Sequence, residues 1–390
     1  MQQIKAKNKK EQQGVDKCVV VTVFSQNQAG FLDFSYRIKA LNKQYQLTIV
    51  SNIKLDQSEL QVEGAKYIFL PKENGILGWL LYLIRCAKLI RTLNPRVVIL
   101  LHTSVSPISL LVGKIPTVTY WNEHPTHMSP APTHFSPITS RLRATVRWLM
   151  FFGARRSSLT MPIGEAHRDD LLAHGCNPNT VQMLYMGVDQ SFSNVALNNQ
   201  LAPTNDHLKL IYVGSVQKDR GRDVMLEAIA LANAANTIAH LTIVGAPTEQ
   251  VKYCQEYAKK LHIENAVTIV GRVPGNSVPS YYSQADVGLC LWEDMPWYRF
   301  NPPTKLFEYL VAGLPVLASN IRTHTEYIQD GDNGLIFDYD SASLSQAIRK
   351  LWTLRNELPK MKQRAKDSSS VYLWHAIEPK FLNSILEVAR

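Results

Sequence analysis

The sequence has few of the features that mark secreted, metal-binding or membrane-spanning proteins. Its 390 residues include five cysteines that lie far apart in the chain, which indicates neither a zinc site nor a disulfide framework. No uninterrupted apolar run reaches the roughly 20 residues that cross a bilayer. Residues 1–17 are rich in Gln and Lys, lack the apolar core of a signal peptide and predict a flexible tail. These absences favour a reducing, cytoplasmic setting.

The charge is unbalanced toward basic residues. Lys and Arg number 42 against 32 Asp and Glu, and the net charge of +10 favours anionic partners such as phosphates, nucleic acid or an anionic membrane. No nucleic-acid-binding module is recognisable, so nucleic acid is not expected as a partner. The length and the apolar fraction of 45% allow two globular domains.

Short apolar runs alternate with amphipathic helical patterns in two long series, residues 18–190 and residues 208–374. Apolar strands separated by helices predict a parallel sheet covered on both faces. We therefore expect two doubly wound, Rossmann-like α/β domains facing a central cleft. Residues 191–207 are rich in Asn, Ser and Ala and show neither helical nor strand periodicity. We interpret them as an interdomain linker.

A glycine turn follows the first strand of the second series. Gly214 ends that strand, Ser215 follows, and the loop to Gly221 contains Lys218 and Arg220 before a helix begins. Basic side chains beside a helix N-terminus suit a phosphate or a diphosphate. Taken alone, the same loop is also compatible with a tight turn flanked by solvated basic residues.

The stretch from Asn301 to Asn320 predicts a buried helix that leads into a buried strand. Glu308 stands among apolar residues of this helix, and Lys305 precedes it by three positions on the same face. One interpretation is an exposed Glu308, or an intrahelical ion pair worth about 0.3 kcal/mol. In the other, Lys305 faces a phosphate while the two oxygens of Glu308 accept two sugar hydroxyls.

Several segments in a fixed order carry a resemblance to a known family. Between Leu208 and Phe337 they read Tyr-Val-Gly-Ser, His-Leu-Thr-Ile-Val-Gly, Val-Thr-Ile-Val-Gly-Arg-Val-Pro, Tyr-Tyr-Ser-Gln-Ala-Asp-Val-Gly-Leu, Lys-Leu-Phe-Glu-Tyr-Leu-Val-Ala-Gly-Leu-Pro-Val and Asp-Gly-Asp-Asn-Gly. This half resembles the family-4 retaining glycosyltransferases, which have the GT-B fold and use sugar nucleotides. The first half matches more loosely, through Leu93-Asn94-Pro95, the histidine-containing loop after Trp121, and Gly187-Val188-Asp189.

The resemblance implies roles for individual residues. Glu308 binds the ribose of the nucleotide, Arg220 holds its diphosphate, and His124 approaches the donor sugar; these three are the implied catalytic residues, with His127 as the alternative histidine. The last helix, residues 375–390, is implied to pack back onto the first domain. The implied donor-binding residues are Gly214, Ser215, Lys218, Arg220, Gly271, Arg272, Val273, Asn301, Lys305, Leu306 and Glu308, of which Gly271, Arg272 and Val273 border the base pocket.

Two positions depart from the family pattern. Many relatives carry an acidic residue eight positions before the ribose-binding Glu, where this chain has Phe300. Asn301 and Lys305 are expected to take over part of its contact with the donor sugar. A basic residue often follows the first glycine, where this chain has Ser215, so the diphosphate is left to Arg220 and the other basic residue of that loop.

The implied reaction is retaining transfer of a sugar from a UDP- or GDP-sugar to a saccharide, lipid-linked or small-molecule acceptor. Positive side chains and a helix N-terminus stabilise the leaving diphosphate, so neither a metal nor a cofactor beyond the donor is expected. The sequence shows no pair of carboxylates at the spacing that glycoside hydrolysis needs. Two alternatives stay open: a sugar-nucleotide epimerase of the same fold, and a non-catalytic protein that binds sugar nucleotides.

Two basic segments raise the question of a membrane. Residues 79–91 and 141–156 each combine Leu and aromatic residues with Arg. Such helices can lie on an anionic membrane, which would place the protein peripherally on the inner membrane face and favour a lipid-linked acceptor. The alternative is a pair of ordinary helices with a core-facing apolar side and a basic outer face.

Overall fold

A computed structural model describes residues 16–24, 30–55, 60, 62–127, 137–198 and 206–390. The chain forms two compact units. The first comprises the chain up to Met186 together with Ile377–Arg390, and the second comprises Gly187–Ala376. Most of the predicted flexible tail, residues 1–15, lies outside the described residues, whereas Lys17 begins the first strand.

The first unit is built on a parallel sheet of six strands in the order β3-β2-β1-β4-β5-β6. Its elements are β1 (Lys17–Thr22), α1 (Phe31–Asn42), β2 (Gln46–Ser51), β3 (Lys66–Phe69), α2 (Gly75–Leu93), β4 (Val97–Leu100), a 3₁₀ segment (Thr103–Leu110), β5 (Thr117–Trp121), α3 (Pro137–Arg156), β6 (Leu159–Pro162) and α4 (Glu165–Ala173). Every residue of β4, β5 and β6 is buried, as expected for strands covered by helices on both faces.

The second unit repeats this plan with the strand order β12-β11-β10-β7-β8-β9. Its elements are α5 (Gln190–Asn198), β7 (Leu208–Val213), α6 (Arg222–Ala232), β8 (Ala239–Ala246), α7 (Thr248–Lys260), β9 (Val267–Gly271), α8 (Val278–Tyr282), β10 (Val287–Cys290), α9 (Thr304–Val311), β11 (Val316–Ser319), α10 (Arg322–Thr325), β12 (Gly334–Phe337), α11 (Ser341–Thr353), α12 (Leu358–Asp367) and α13 (Trp374–Val388), whose residues from Ile377 belong to the first unit. The prediction of two doubly wound parallel-sheet domains is confirmed.

A buried ion pair organises the first unit. Arg37 is fully buried, and its Nε lies 2.9 Å from Oδ2 of Asp33 one helical turn earlier. Its Nη2 donates hydrogen bonds to the hydroxyl of Tyr120 at 3.2 Å and to the carbonyl oxygen of Tyr185 at 3.0 Å. The guanidinium carbon lies 5.0 Å from the ring centroid of Phe381. Helix α1, strand β5 and the terminal helix α13 therefore pack around one buried cation.

The region interpreted as a linker differs from the structure in its first half. Helix α5 covers Gln190–Asn198, and its residues Phe192 and Val195 are buried. They share one helical face because they are three positions apart, and the Phe192 ring packs against Tyr282 at 5.5 Å between centroids. The segment contains only four apolar residues, Phe192, Val195, Ala196 and Leu197, and one turn of helical spacing among polar residues does not distinguish a helix from a linker. The second unit begins at Gly187, and residues 199–205 lie outside the described residues.

The terminal segment, residues 377–390, is held to the first unit by polar contacts as well as by Phe381. Lys43 Nζ lies 2.6 Å from Oε1 of Glu378, and the Arg96 side chain donates to the carbonyl oxygen of Ala389. None of the helices in the described ranges combines the length and the apolarity that crossing a lipid bilayer requires.

Candidate functional site

The centre of the second sheet offers a place for a ligand. Strands β7 and β10 lie side by side there, and the chain winds outward from them in opposite directions, through β8 and β9 on one side and β11 and β12 on the other. Ligands of doubly wound sheets bind at such a switch point, beyond the carboxyl ends of the strands. The loops that follow β7 and β10 therefore define the candidate site.

The loop after β7 depends on two glycines. Gly214 has φ 127° and Gly221 has φ 79°, values that side-chain-bearing residues rarely adopt. A Cβ atom on Gly221 would stand 2.7 Å from the Cβ of Leu291, so helix α6 can begin close to β10 only with glycine there. A Cβ atom on Gly214 would stand 3.3 Å from the Nζ of Lys305. The amine of Lys305 thus lies directly beside the glycine turn.

Helix α9 is fixed to the end of β7 by Tyr309. The backbone N–H of Val213 donates to the Tyr309 hydroxyl at 3.0 Å, and that hydroxyl donates to the carbonyl oxygen of Ile211 at 3.3 Å. A Cβ atom on Gly288 would come within 2.5 Å of the Tyr309 ring, which shows how closely the helix covers β10. The neighbours of Tyr309 on this helix are therefore held in a defined position against the turn.

Lys305 is buried without a hydrogen-bond partner. Lys305 is 7% exposed, and no acceptor within the described part of the chain forms a hydrogen bond with its Nζ. The ammonium nitrogen sits 3.6 Å from the ring centroid of Tyr212, a cation–π distance. Burial lowers the pKa of Lys305 to about 7. No ion pair with Glu308 forms in the described residues, so the intrahelical ion pair considered from the sequence is absent.

Glu308 is half-buried and oriented by a tyrosine. Its Oε2 accepts a hydrogen bond of 2.9 Å from the hydroxyl of Tyr282, which is fully buried. Burial raises the pKa of the Glu308 carboxyl, while the Tyr282 hydrogen bond and Lys305 act in the opposite direction. One carboxylate oxygen is thus fixed in place, and Oε1 has no hydrogen bond within the described structure.

Arg220 is oriented by the residues that flank the glycine turn. Its Nη1 donates to the hydroxyl of Ser215, and its Nε donates to the hydroxyl of Tyr298 at 3.3 Å. That hydroxyl in turn donates to Oδ2 of Asp219 at 2.8 Å, and the Tyr298 ring stacks on Trp292 at 4.4 Å. A partly exposed guanidinium beside a glycine turn suits an anionic oxygen.

The other predicted donor-binding residues are less closely grouped. Lys218 is exposed, and its backbone carbonyl oxygen accepts a hydrogen bond from Tyr339 at 2.9 Å. Gly271, Arg272 and Val273 lie at the end of the edge strand β9, where Arg272 is exposed. Leu306 is fully buried in the core and offers no side-chain surface to a ligand.

Phe300 and Asn301, just before helix α9, are half-buried. Phe300 lines a cavity of about 350 Å³ together with Asp294, Arg299, Asn320, Ile321 and Arg322. Arg299 is paired with Asp294 there through Nε at 2.6 Å. An aromatic ring with polar neighbours thus occupies the position at which many family members have an acid.

The structure places His124 in the first unit, inside a group of histidines and carboxylates. His124 is 5% exposed; its Nε2 lies 3.0 Å from Oδ2 of Asp170, and its Nδ1 lies 2.6 Å from the hydroxyl of Thr126. His127 contacts Glu123, which also faces His102 at 3.4 Å. Although burial alone would raise it, hydrogen bonds from His102 and His127 lower the pKa of Glu123 to about 2.

Several residues that shape these sites are missed by sequence reasoning. Tyr212, Tyr282, Tyr298 and Tyr309 orient Lys305, Glu308, Arg220 and helix α9, and His102, Glu123 and Asp170 surround the two predicted histidines. Of these residues, His102 and Glu123 closely follow strands β4 and β5, which is a signal the sequence offers. The tyrosine contacts join segments far apart in the chain and leave no local pattern.

Comparison with models of known protein families shows the family of this chain. The family model described as "Glycosyl transferases group 1" matches residues 196–368, and that described as "Glycosyltransferase Family 4" matches residues 35–192. The chain belongs to the group 1 glycosyltransferases. Both halves of this group 1 glycosyltransferase are thus covered, including the glycine turn and helix α9 in the first match.

Individual relatives are distant. The chain is 24% identical over 211 residues to the D-inositol 3-phosphate glycosyltransferase of Stackebrandtia nassauensis, covering 51% of this chain and 46% of that protein. It is 24% identical over 198 residues to the amylovoran biosynthesis glycosyltransferase AmsK of Erwinia amylovora, covering 50% and 47%. The matches span about half the length of these curated relatives. Among solved structures, Anabaena HepE in complex with UDP superposes with a TM-score of 0.74 at 15% identity, over 95% of this chain and 100% of that one, which shows the shared fold.

Proposed function

We propose that this group 1 glycosyltransferase transfers a sugar, with retention, from a nucleoside diphosphate sugar to a saccharide, lipid-linked or small-molecule acceptor. The observation that carries the proposal is that the Arg220 guanidinium and the Lys305 amine lie beside the glycine turn at the switch point of the second unit, with Glu308 three positions after Lys305 on helix α9. The donor is assigned to this unit and the acceptor to the first unit.

Each of these groups suits one part of a donor. The Arg220 guanidinium and the Lys305 amine suit the diphosphate, and the Oε1 atom of Glu308 together with the oriented Oε2 suits the two ribose hydroxyls. UDP is the nucleotide bound in HepE, and UDP-glucose is bound in a second structure of that protein, which supports testing UDP-sugars first.

The proposed reaction relies on positively charged side chains that stabilise the leaving diphosphate. Negative charge develops on the diphosphate as the glycosidic bond breaks, and a fixed guanidinium and amine stabilise that charge most when they are already in place. We propose that these side chains take the role a metal ion has elsewhere, and that the leaving phosphate helps to deprotonate the acceptor hydroxyl. Unchanged turnover after treatment with EDTA is the expected result.

The test is a screen of UDP-, GDP- and ADP-sugars for binding by calorimetry, followed by analysis of products by mass spectrometry and NMR. A new glycosidic bond with the anomeric configuration of the donor supports the proposal. Epimerised sugar nucleotide without such a bond would replace it with the epimerase, and binding without turnover would leave a non-catalytic binding protein. Inversion of the anomeric centre would remove the retaining mechanism.

We further propose that the first unit contacts an anionic membrane. On α2 the exposed apolar residues Leu77, Leu81 and Ile84 follow one face, which ends in the exposed Lys88. On α3 the exposed apolar residues are Leu142, Trp148 and Phe152, and the helix ends in Arg155 and Arg156. Apolar stripes next to basic residues favour a negatively charged lipid surface, which supports a lipid-linked acceptor and a peripheral position on the inner membrane face.

A further inference from the structure

The amine of Lys305 has an environment that does not match a permanently charged group. It is removed from water, it has no hydrogen-bond acceptor among the described residues, and its close neighbour is the face of the Tyr212 ring. An ammonium ion has three N–H donors, and burying them without acceptors costs several kcal/mol. The cation–π contact with Tyr212 offsets only part of that cost.

The titratable groups around Lys305 do not supply a compensating negative charge. From β10 the Cys290 thiol faces it, and burial raises the pKa of that thiol to about 12, so it stays neutral. The buried His324 is neutral as well, because burial lowers its pKa to about 3. From the loop after β7, Arg220 repels a second cation, whereas Glu308 on the same helix attracts one. The Glu308 carboxylate is engaged by Tyr282 and forms no ion pair with Lys305 in the described structure.

We infer that Lys305 is held as a neutral amine in the free protein and takes up a proton from solvent when a nucleoside diphosphate binds at the Gly214 turn. A diphosphate brings two negative charges and several acceptor oxygens to the place where the amine lacks both. The bound anion makes the ammonium form favourable, and the site thereby avoids carrying an unpaired buried cation while it is empty. The inference rests on the proposed function of the site.

A consequence for binding follows from mass action. In the protein without a bound donor, the Lys305 amine loses its proton above a certain pH. Above that pH, each donor molecule that binds must be accompanied by one proton. Donor affinity therefore falls as the pH rises, by up to about tenfold per pH unit, until the amine in the complex also loses its proton. A lysine with an ordinary environment would show neither effect near neutral pH.

The experiment has one part that needs no ligand. Protein labelled with ¹³C at the ε-carbon of lysine is titrated by NMR, with Lys305→Met used to assign the resonance. The expected result is one lysine signal that titrates more than two pH units below the others and is missing from the variant. If every lysine signal titrates in the ordinary range, the inference is wrong whatever the site binds.

The second part uses UDP-glucose, whose diphosphate has no titration near neutral pH. Calorimetry in pairs of phosphate-free buffers that differ in ionisation enthalpy, Tris and Bicine at pH 8.5 and MES and Bis-Tris at pH 6, measures the protons taken up on binding. We expect uptake approaching one proton at pH 8.5 that declines toward zero at pH 6, and no uptake in Lys305→Arg, whose guanidinium is always charged. Binding without uptake at pH 8.5 would overturn the inference alone. Absence of binding by UDP-, GDP- and ADP-glucose would overturn the proposed function together with the proton uptake.

Discussion

The hydroxyl of Tyr282 donates a hydrogen bond to Oε2 of Glu308. This contact joins helices α8 and α9, which are separated in the chain by strand β10 and the loop after it. Because Tyr282 is fully buried, the carboxylate is held at one oxygen from the inside of the unit while the other oxygen is left for a ligand. The contact makes Glu308 a fixed acceptor rather than a freely rotating surface acid.

Replacing Glu308 by Ala should reduce sugar transfer by about 100-fold or more, because two hydrogen bonds from ligand hydroxyls to a charged acceptor are lost. Tyr282→Phe should reduce it by about 3- to 10-fold, since only the orientation of the carboxylate is weakened. Both effects are measured as kcat/KM for the best donor. Glu256→Ala, on an exposed glutamate of α7, is the matched control and should leave transfer unchanged. Full activity of Glu308→Ala would contradict the proposed site.

Arg220→Ala should lower kcat by about 100- to 1,000-fold, because a prearranged positive group that meets developing charge is worth that much. Tyr298→Phe should have a smaller effect in the same direction, since it removes only one of the two contacts that orient the guanidinium. Steady-state kinetics separate kcat from KM. Arg364→Ala on α12, where the side chain is half-exposed, serves as the control for loss of a positive charge. Equal kcat values for Arg220→Ala and the control would exclude a role in the reaction.

Lys305→Met should stabilise the second unit most at low pH. The pKa of the buried amine is lowered from 10.5 to about 7, so between these values the unfolded chain binds more protons than the folded one. The free energy of unfolding of the wild type therefore rises with pH through this window, and the folded state carries the full cost of the buried charge below about pH 7. We expect the variant to gain on the order of 2 to 4 kcal/mol at pH 6 and little at pH 10.

The measurement is the difference in urea unfolding between wild type and variant across this pH range, which cancels the other titrating groups. Lys218→Met is the matched control, because Lys218 is exposed and its loss should give no pH-dependent difference. A gain for Lys305→Met that is independent of pH would point to better packing of the methionine instead of the removal of a charge.

Sequence reasoning finds the elements of this protein better than their contacts. Apart from Lys17 at the start of β1, the strands of both sheets fall within the two predicted series of apolar runs, and helix α9 leads into strand β11 within the stretch from Asn301 to Asn320, as the pattern predicts. These features depend on neighbouring residues, whose burial and capping a local pattern reports. Helix α5 is missed because its stability comes from packing Phe192 on a helix about 90 residues away, which no local pattern reports.

The candidate site shows the same division. The glycine turn, Arg220, Lys305 and Glu308 are identifiable from the sequence because their types and spacing resemble a family. The neighbour of each is not: the Tyr212 ring under Lys305 and the Tyr282 hydroxyl on Glu308 depend on how helices pack against the sheet. Whether Lys305 pairs with Glu308 or is buried without an ion-pair partner is therefore visible only in the folded structure of the described residues.

Breaking the buried pair in the first unit should be costly. Arg37→Met leaves the Asp33 carboxylate buried without its cation, and we expect a loss of about 3 to 5 kcal/mol of local stability. Hydrogen exchange of the α1 amides measures this loss within the first unit. The double variant Arg37→Met, Asp33→Leu should recover much of it, because no unpaired charge remains. The exposed pair Lys360–Glu357 provides the contrast, and Lys360→Ala should change stability by less than about 0.5 kcal/mol.

Membrane association should depend on the apolar stripe of α3. The Trp148 ring is 56% exposed and stacks on the exposed Phe152 at 5.1 Å, so it covers no core and its removal should leave folding intact. Trp148→Ser combined with Phe152→Ser should lower binding to phosphatidylglycerol vesicles at least about tenfold, since two large apolar side chains no longer enter the interface. Leu231→Ser, at an exposed apolar position of the second unit, is the matched control.

Co-sedimentation at low and high salt, with phosphatidylcholine vesicles alongside, separates the apolar contribution to membrane binding from the electrostatic one. Binding that falls with salt but survives the double serine variant would assign the attraction to the arginines alone, and no binding to anionic vesicles at low salt would remove the membrane from the proposed function.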